Sequence, residues 1–107
     1  MFQYQGQINI RKKERKNMSI YEAKQLFEQN ELNKSLEVLN KLILDNPSDL
    51  HSLILRGRIY YKLQKWGDSM NSYAMALEID PENPEAKSGI EMAVSILGYF
   101  TPDMFNP

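Results

Sequence analysis

The sequence repeats itself with a period of 34 residues. Pro47 and Pro81 are 34 residues apart, and the same shift superposes small residues on small ones and large residues on large ones. A repeat of this length is typical of a helix-turn-helix unit, which cannot bury its apolar face alone and must stack on a neighbour. The chain is therefore expected to be all-α. The superposed pairs are Ala23 with Gly57, Leu26 with Tyr60, Ser35 with Ser69 and Leu39 with Tyr73.

Apolar residues at helical spacing predict about five helices. Asn46-Pro47 and Asp80-Pro81 should end the second and the fourth, because the residue before a proline avoids the α region. A turn is placed at Asn30, Ser48 is predicted to cap the third helix, and Asn83 is predicted to cap the fifth. The predicted helices cover residues 19–29, 33–45, 49–63, 66–79 and 84–99.

The composition argues against several classes of protein. The chain has 107 residues, of which 25% are charged, and its longest apolar runs are far shorter than the roughly 18 residues of a membrane-spanning helix. It contains no cysteine, which favours a reducing compartment and predicts a cytoplasmic location. His51 is the only histidine, and no glycine-rich phosphate loop is present. An enzyme, a metal site and a cofactor are therefore not expected.

The repeat resembles the tetratricopeptide (TPR) family, whose pattern is W-x2-L-G-x2-Y, then A-x3-F, then P. The second copy reads Leu53-x2-Arg56-Gly57-x2-Tyr60, Ser69-x3-Tyr73 and Pro81. The first, weaker copy reads Ser19-x2-Glu22-Ala23-x2-Leu26, Ser35-x3-Leu39 and Pro47. The resemblance implies a short right-handed solenoid of antiparallel helix pairs over residues 18–100, with repeats at about 17–49 and 50–83 and a capping helix at 84–99.

Both copies depart from the family pattern. Glu22 and Arg56 replace the leucine, where an inward charge is costly unless it is paired. Since equivalent helices of neighbouring repeats lie side by side, one prediction is that Glu22 and Arg56 approach each other; the alternative is that both face solvent. Ser35 and Ser69 replace the alanine and need only a local hydrogen bond.

The resemblance also implies a function in protein-protein interaction. Members of the family hold a partner's peptide or helix on the concave surface formed by the first helix of each repeat. On this chain the surface is apolar with a basic bias, so an acidic or C-terminal peptide would suit it, with the aromatic residues as anchors and the cations as carboxylate partners. The alternative is an ordinary solvated helix face. The predicted groove residues are Ile20, Lys24, Phe27, Ile54, Arg58, Tyr61 and Lys62.

The fifth helix and the tail after it support a second hypothesis. The helix has one apolar stripe at Ile90, Ala93, Val94 and Leu97, and a second on another side that something else must cover. Residues 101–107 are aromatic and contain prolines, so they are expected to dock on that stripe, in the same chain or in a homodimer. The residues predicted for self-association are Met92, Ile96, Phe100, Met104 and Phe105.

Residues 1–17 carry five Lys or Arg residues and one acidic residue. Apolar and polar residues alternate in residues 2–10, as they do in a β-strand, but a single strand has no neighbouring strand to hydrogen-bond with. We therefore expect this basic extension to be disordered, or to pair with its copy in another chain. Met18 offers another explanation, that translation starts there. Five charges on a tail are a weak signal for nucleic acid, which is not an expected partner.

Overall fold

A computed structural model describes the backbone of residues 19–100 and the side chains of residues 19–98. Its helices are α1 (residues 19–28), α2 (Leu32–Asp45), α3 (Leu50–Lys62), α4 (Trp66–Ile79) and α5 (Pro84–Phe100). The predicted all-α fold is confirmed, with each helix ending within one residue of its predicted bounds. Consecutive helices pack on each other, and α3 also contacts α5. None of the helices in this part of the chain is long and apolar enough to cross a membrane.

The helix pairs α1–α2 and α3–α4 have the same backbone hydrogen bonds at their turns. Each turn between paired helices contains one left-handed residue, Asn30 with φ of 62° and Gln64 with φ of 61°. The amide that follows each of them donates to the carbonyl five residues earlier, over 2.7 and 2.9 Å. This pattern closes the end of a helix by satisfying its free carbonyls. The 34-residue period of the sequence is therefore a period of backbone geometry as well.

The two serines in the alanine slots make equivalent bonds across each helix pair. Ser35 Oγ donates to the carbonyl of Ala23 over 2.7 Å, and Ser69 Oγ donates to the carbonyl of Gly57 over 2.8 Å. Both hydroxyls are buried, so each needs a partner inside the protein. The expected hydrogen bonds are present, but they tie neighbouring helices together rather than closing a local turn.

The helix caps confirm one prediction and correct another. Asn83 caps α5, since its Oδ1 accepts from the amide of Ala86 over 2.9 Å. The prediction that Ser48 caps α3 is wrong, because Asp49 stands next to the first helical residue and accepts from the amide of Ser52 over 3.3 Å. Ser48 lies one residue too early, and its amide instead donates to Asn46 Oδ1 over 3.1 Å.

Two apolar clusters form the core, one for each junction of the stack. The first joins α1, α2 and α3, and the second joins α2, α3, α4 and α5, so α5 completes the core of the second repeat. Burial of these side chains is the main driving force for stacking. The buried members are Ala23, Leu39, Leu42, Leu55 and Ile59 in the first cluster, and Ile43, Leu53, Tyr73, Ala76 and Ala86 in the second.

Tyr73 fixes how closely three helices approach. Its ring lies on α4 and is 4% exposed, with Gly57 of α3 on one side and Gly89 of α5 on the other. A Cβ placed on Gly57 would lie 2.7 to 2.9 Å from three ring atoms, and one on Gly89 would meet the opposite edge of the ring. Only glycine fits at both positions, so this contact sets the spacing of α3 and α5.

Arg56 does not pair with Glu22. Its guanidinium donates to Ser72 Oγ over 3.0 Å and to Asn40 Oδ1 over 3.1 Å, and it contacts the sulfur of Met75 at 3.4 Å. Glu22 is exposed, and no ion pair joins it to Arg56. The predicted approach is wrong because the long arginine side chain extends to α2 and α4, where hydrogen-bond acceptors satisfy it at the edge of the core.

The free side of α1 is more polar than the matching side of α3. In α3, Leu55 and Ile59 are buried against the first repeat. The residues 34 positions earlier are Tyr21, which is 62% exposed, and Gln25, which is exposed too. Polar side chains suit this side of α1, which no described helix covers.

Candidate functional site

The first helices of successive units, α1, α3 and α5, line one groove that contains two clefts. The α1–α3 cleft has a volume of about 410 Å³. The α3–α5 cleft has a volume of about 250 Å³, and apolar atoms form nearly all of its surface. The first is lined by Lys24, Phe27, Glu28, Leu50, His51, Ile54, Leu55, Arg58, Asn83 and Glu85. The second is lined by Arg58, Tyr61, Lys62, Tyr73, Glu85, Ser88, Gly89 and Met92.

An ion pair between α3 and α5 separates the two clefts. Arg58 Nε and Nη2 donate to the two carboxylate oxygens of Glu85 over 2.9 and 2.7 Å, in a bidentate arrangement. Both residues line both clefts. The hydrogen bonds that Arg58 donates to Glu85 raise the pKa of Arg58 above its ordinary value, so the guanidinium stays charged. The charge of Arg58 is therefore already compensated inside the chain.

Phe27 lies beneath two cations. Arg58 Cζ is 5.8 Å from the centre of the Phe27 ring and Lys62 Nζ is 5.1 Å from it, which is within cation–π range. Lys62 is exposed and forms no ion pair with a carboxylate of the described residues. Among residues 19–98, Lys62 is therefore a groove cation without a carboxylate partner, in contrast to Arg58.

Tyr61 and Trp66 form an edge-to-face aromatic pair. Their ring centres are 5.0 Å apart and their planes are inclined by 77°. Tyr61 lines the α3–α5 cleft, while Trp66 begins α4. This contact packs the turn between α3 and α4. As the only tryptophan of the chain, Trp66 is also a fluorescent reporter for this part of the groove.

Tyr73 and Gly89 lie in the wall of the α3–α5 cleft, with Met92 beside them. Burial, with the nearby carboxylate of Glu85 adding to it, raises the pKa of Tyr73 to about 12. Met92 is 52% exposed, one of the largest apolar exposures among the described residues. The cleft is thus an apolar recess whose rim carries Arg58 and Lys62.

The predicted groove residues are divided between the two clefts. Lys24, Phe27, Ile54 and Arg58 line the α1–α3 cleft, whereas Arg58, Tyr61 and Lys62 line the α3–α5 cleft. Ile20 lines neither cleft and instead packs against the first core cluster. Glu85 is absent from the predicted groove residues, although it lines both clefts. The 34-residue period could have placed it in the groove, since the start of α5 follows the start of α3 along the stack.

The residues predicted for self-association are described in part. Met92 is exposed and Ile96 is half-buried, and both border a shallow cavity of about 360 Å³ with Glu91 and Ser95. Phe100, Met104 and Phe105 lie outside the side chains that the structure describes. Between residues 19 and 98, no group of three or more His, Asp or Glu side chains could hold a metal ion.

Comparison with known proteins gives one match. The family model of the TPR repeat matches residues 57–89, a segment that begins and ends at the two glycines beside Tyr73. No curated protein and no solved structure matches the chain. The family match, the helix-pair geometry and the 34-residue period agree. Residues 57–89 are a TPR repeat, and the described residues 19–100 form five helices around that repeat.

Proposed function

We propose that this chain is a non-catalytic interaction module that binds an extended acidic segment of a partner protein in its α1–α3 cleft. The TPR repeat is commonly a protein-interaction module. The observation that carries the proposal is the α1–α3 cleft itself, about 410 Å³ in volume and open along the first helices of the stack. Its walls combine apolar side chains with charged ones, as peptide sites do.

The charges favour an acidic ligand. The predicted groove and its clefts contain three cations, Lys24, Arg58 and Lys62, against the two carboxylates of Glu28 and Glu85. Because Arg58 is held by Glu85, the cation of the α1–α3 cleft that remains for a ligand is Lys24. Phe27 and Ile54 supply the apolar contact beside it. The ligand that fits is a segment with an apolar side chain flanked by acidic ones.

The test is a peptide selection with matched variants. Random peptides displayed on phage are selected on the full chain, and their affinities are measured by fluorescence anisotropy. We expect enrichment of acidic residues around one apolar position. Lys24→Glu should weaken binding about three- to tenfold, the effect of roughly 1 kcal/mol expected for one exposed charge contact.

Lys34→Glu is the matched control, since Lys34 is equally a surface lysine but lies on α2, outside both clefts. It should leave the affinity unchanged. Circular dichroism confirms that both variants keep the helical fold. Selected peptides without acidic residues, or equal losses in the two variants, would show that the α1–α3 cleft is not the binding site.

Arg58 is a poor residue for this test. The bidentate pair with Glu85 connects α3 to α5, so Arg58→Glu would place two carboxylates together and disturb the stack as well as the groove. A loss of binding in that variant would not separate recognition from stability.

A second candidate function is self-association through α5. It is supported by the exposed Met92 and the shallow cavity that this residue borders with Ile96. An apolar patch on a helix face is often covered by a second chain. Sedimentation equilibrium of the full chain, compared with Met92→Glu, tests the idea: a dimer that becomes a monomer on substitution supports it, and a monomer in both cases removes it.

A further inference from the structure

The α3–α5 cleft is an apolar recess that the described chain leaves open. Tyr61, Tyr73 and Met92 line it, and Gly89 contributes no side chain that would fill it. The cleft lies on the far side of the Arg58–Glu85 pair from the α1–α3 cleft, so it does not depend on the function proposed above. An open recess of apolar atoms is stabilised when an apolar side chain fills it.

The rim of this cleft is positively charged. Arg58, Lys62 and Glu85 line it, and together they leave one net positive charge. Glu85 compensates Arg58, and the ammonium of Lys62 contacts only the Phe27 ring among the groove residues. An occupant with a carboxylate next to an apolar side chain would complement both the rim and the recess.

The segment that follows α5 has this chemistry. Residues 101–107 read Thr-Pro-Asp-Met-Phe-Asn-Pro, with one carboxylate directly before two large apolar side chains. Helix α5 is assigned through Phe100, and Pro102 cannot continue a helix because it lacks the amide and clashes with the preceding turn. The two prolines also lower the conformational entropy that docking would cost.

The segment is long enough to reach the cleft. Met92 lies eight residues before the end of α5, a distance of about 12 Å along the helix axis. Five extended residues, from Phe100 to Phe105, span up to about 17 Å. A chain that turns back directly after Phe100 and runs extended along α5 therefore brings Phe105 to the level of Met92.

We infer that residues 101–107 fold back along α5 and fill the α3–α5 cleft of their own chain. Met104 and Phe105 occupy the recess beside Met92, and Asp103 faces the ammonium of Lys62. The occupant is thus a segment of this chain rather than a partner protein.

Paramagnetic relaxation enhancement tests the inference on the full chain, which contains no cysteine. A nitroxide attached to the cysteine of Asn106→Cys lies next to Met104 and Phe105 and leaves both side chains unchanged. The expected result is loss of the amide signals of Lys62, Gly89 and Met92. Broadening confined to the end of α5 would overturn the inference.

Matched variants identify the contacts. In the labelled chain, Phe105→Ser should restore the signals, and Lys62→Glu should restore them in part. Lys34→Glu, on the α2 surface, should have no effect. Signals that stay broadened with Phe105→Ser would mean that the segment is not held in the cleft by its aromatic side chain, which would also overturn the inference.

A mixing experiment separates one chain from two. A ¹⁵N-enriched chain without a spin label is mixed with a spin-labelled chain at natural isotope abundance. Only the ¹⁵N-enriched chain is observed, so only contacts between chains can broaden its signals. We expect no broadening. Broadening in the mixture would assign the cleft to a second copy of the chain and would contradict the inference. Neither outcome bears on the peptide selection, which concerns the α1–α3 cleft.

Discussion

The contact of Tyr73 with two glycines makes a quantitative prediction about stability. In Gly57→Ala the new Cβ would lie 2.7 to 2.9 Å from three atoms of the Tyr73 ring. The ring cannot move away, because its opposite edge already faces Gly89 and its side chain is 4% exposed. The helices α3 and α4 must therefore separate, or the ring must leave its preferred rotamer.

Two opposing effects set the magnitude. Overpacking of a core costs about 1 to 3 kcal/mol, whereas alanine stabilises a helix interior by about 0.5 to 1 kcal/mol relative to glycine. The expected net loss is about 1.5 kcal/mol, or roughly 6 to 12 °C in Tm for a domain of this size. Gly67→Ala is the matched control, because a Cβ there meets nothing within 4 Å, and it should be neutral or slightly stabilising.

The assay is urea unfolding of the full chain, followed by far-ultraviolet circular dichroism and by the fluorescence of Trp66. A double-mutant cycle isolates the contact: with Tyr73→Leu in place, the effect of Gly57→Ala should become neutral or favourable. If Gly57→Ala is as stable as the natural chain, or if its effect is the same with Tyr73→Leu, the ring does not set the helix spacing and the reasoning is refuted.

Other predictions test the remaining polar contacts. Arg56→Met should lower the free energy of unfolding by about 1 to 2 kcal/mol, because it leaves the buried Ser72 hydroxyl unpaired, and adding Ser72→Ala should recover most of the loss in the same urea assay. Glu85→Gln should lower the free energy of unfolding by no more than about 1 kcal/mol, because its ion pair with Arg58 is partly exposed, and the loss should shrink in high salt. Glu82→Gln removes a more exposed ion pair and should lower the free energy of unfolding less. A larger loss for Glu82→Gln than for Glu85→Gln would contradict this comparison. The raised pKa of Tyr73 means that the folded state retains the phenolic proton more strongly than the unfolded state, so stability is full below pH 10 and falls between pH 10 and about 12, by up to about 1.4 kcal/mol per pH unit. Tyr73→Phe should flatten this part of an alkaline unfolding profile, and an unchanged slope would argue against burial as its cause.

The helices could be predicted from the sequence because local signals determine where they begin and end. A proline after Asn46 or Asp80 ends a helix whatever surrounds it, and the 34-residue period reinforces each assignment. Asn83 was assigned correctly as a cap, whereas Ser48 was not. Two candidate caps stood side by side there, and the choice depended on a helix boundary known only to within one residue.

The site was harder to predict because long side chains form hydrogen bonds and ion pairs with residues of other helices in the stack. The sequence shows that Arg58 lies on the groove side of α3, but its pairing with Glu85 depends on where α5 sits relative to α3. Arg56 illustrates the same limit: its acceptors lie on α2 and α4, not on the equivalent helix of the neighbouring repeat. Ile20 has groove-like spacing, but its side chain packs against the first core cluster.

The polar face of α1 limits how copies of this chain could assemble. Joining the α5 end of one copy to the α1 end of the next would be a heterologous contact, which repeats without closing and leads to open filaments. Tyr21 and Gln25 stand where Leu55 and Ile59 bury apolar surface in the next unit, so this junction would gain little from burial. A contact between the α5 faces of two copies would instead be isologous and related by a two-fold axis. Such an assembly ends at two copies.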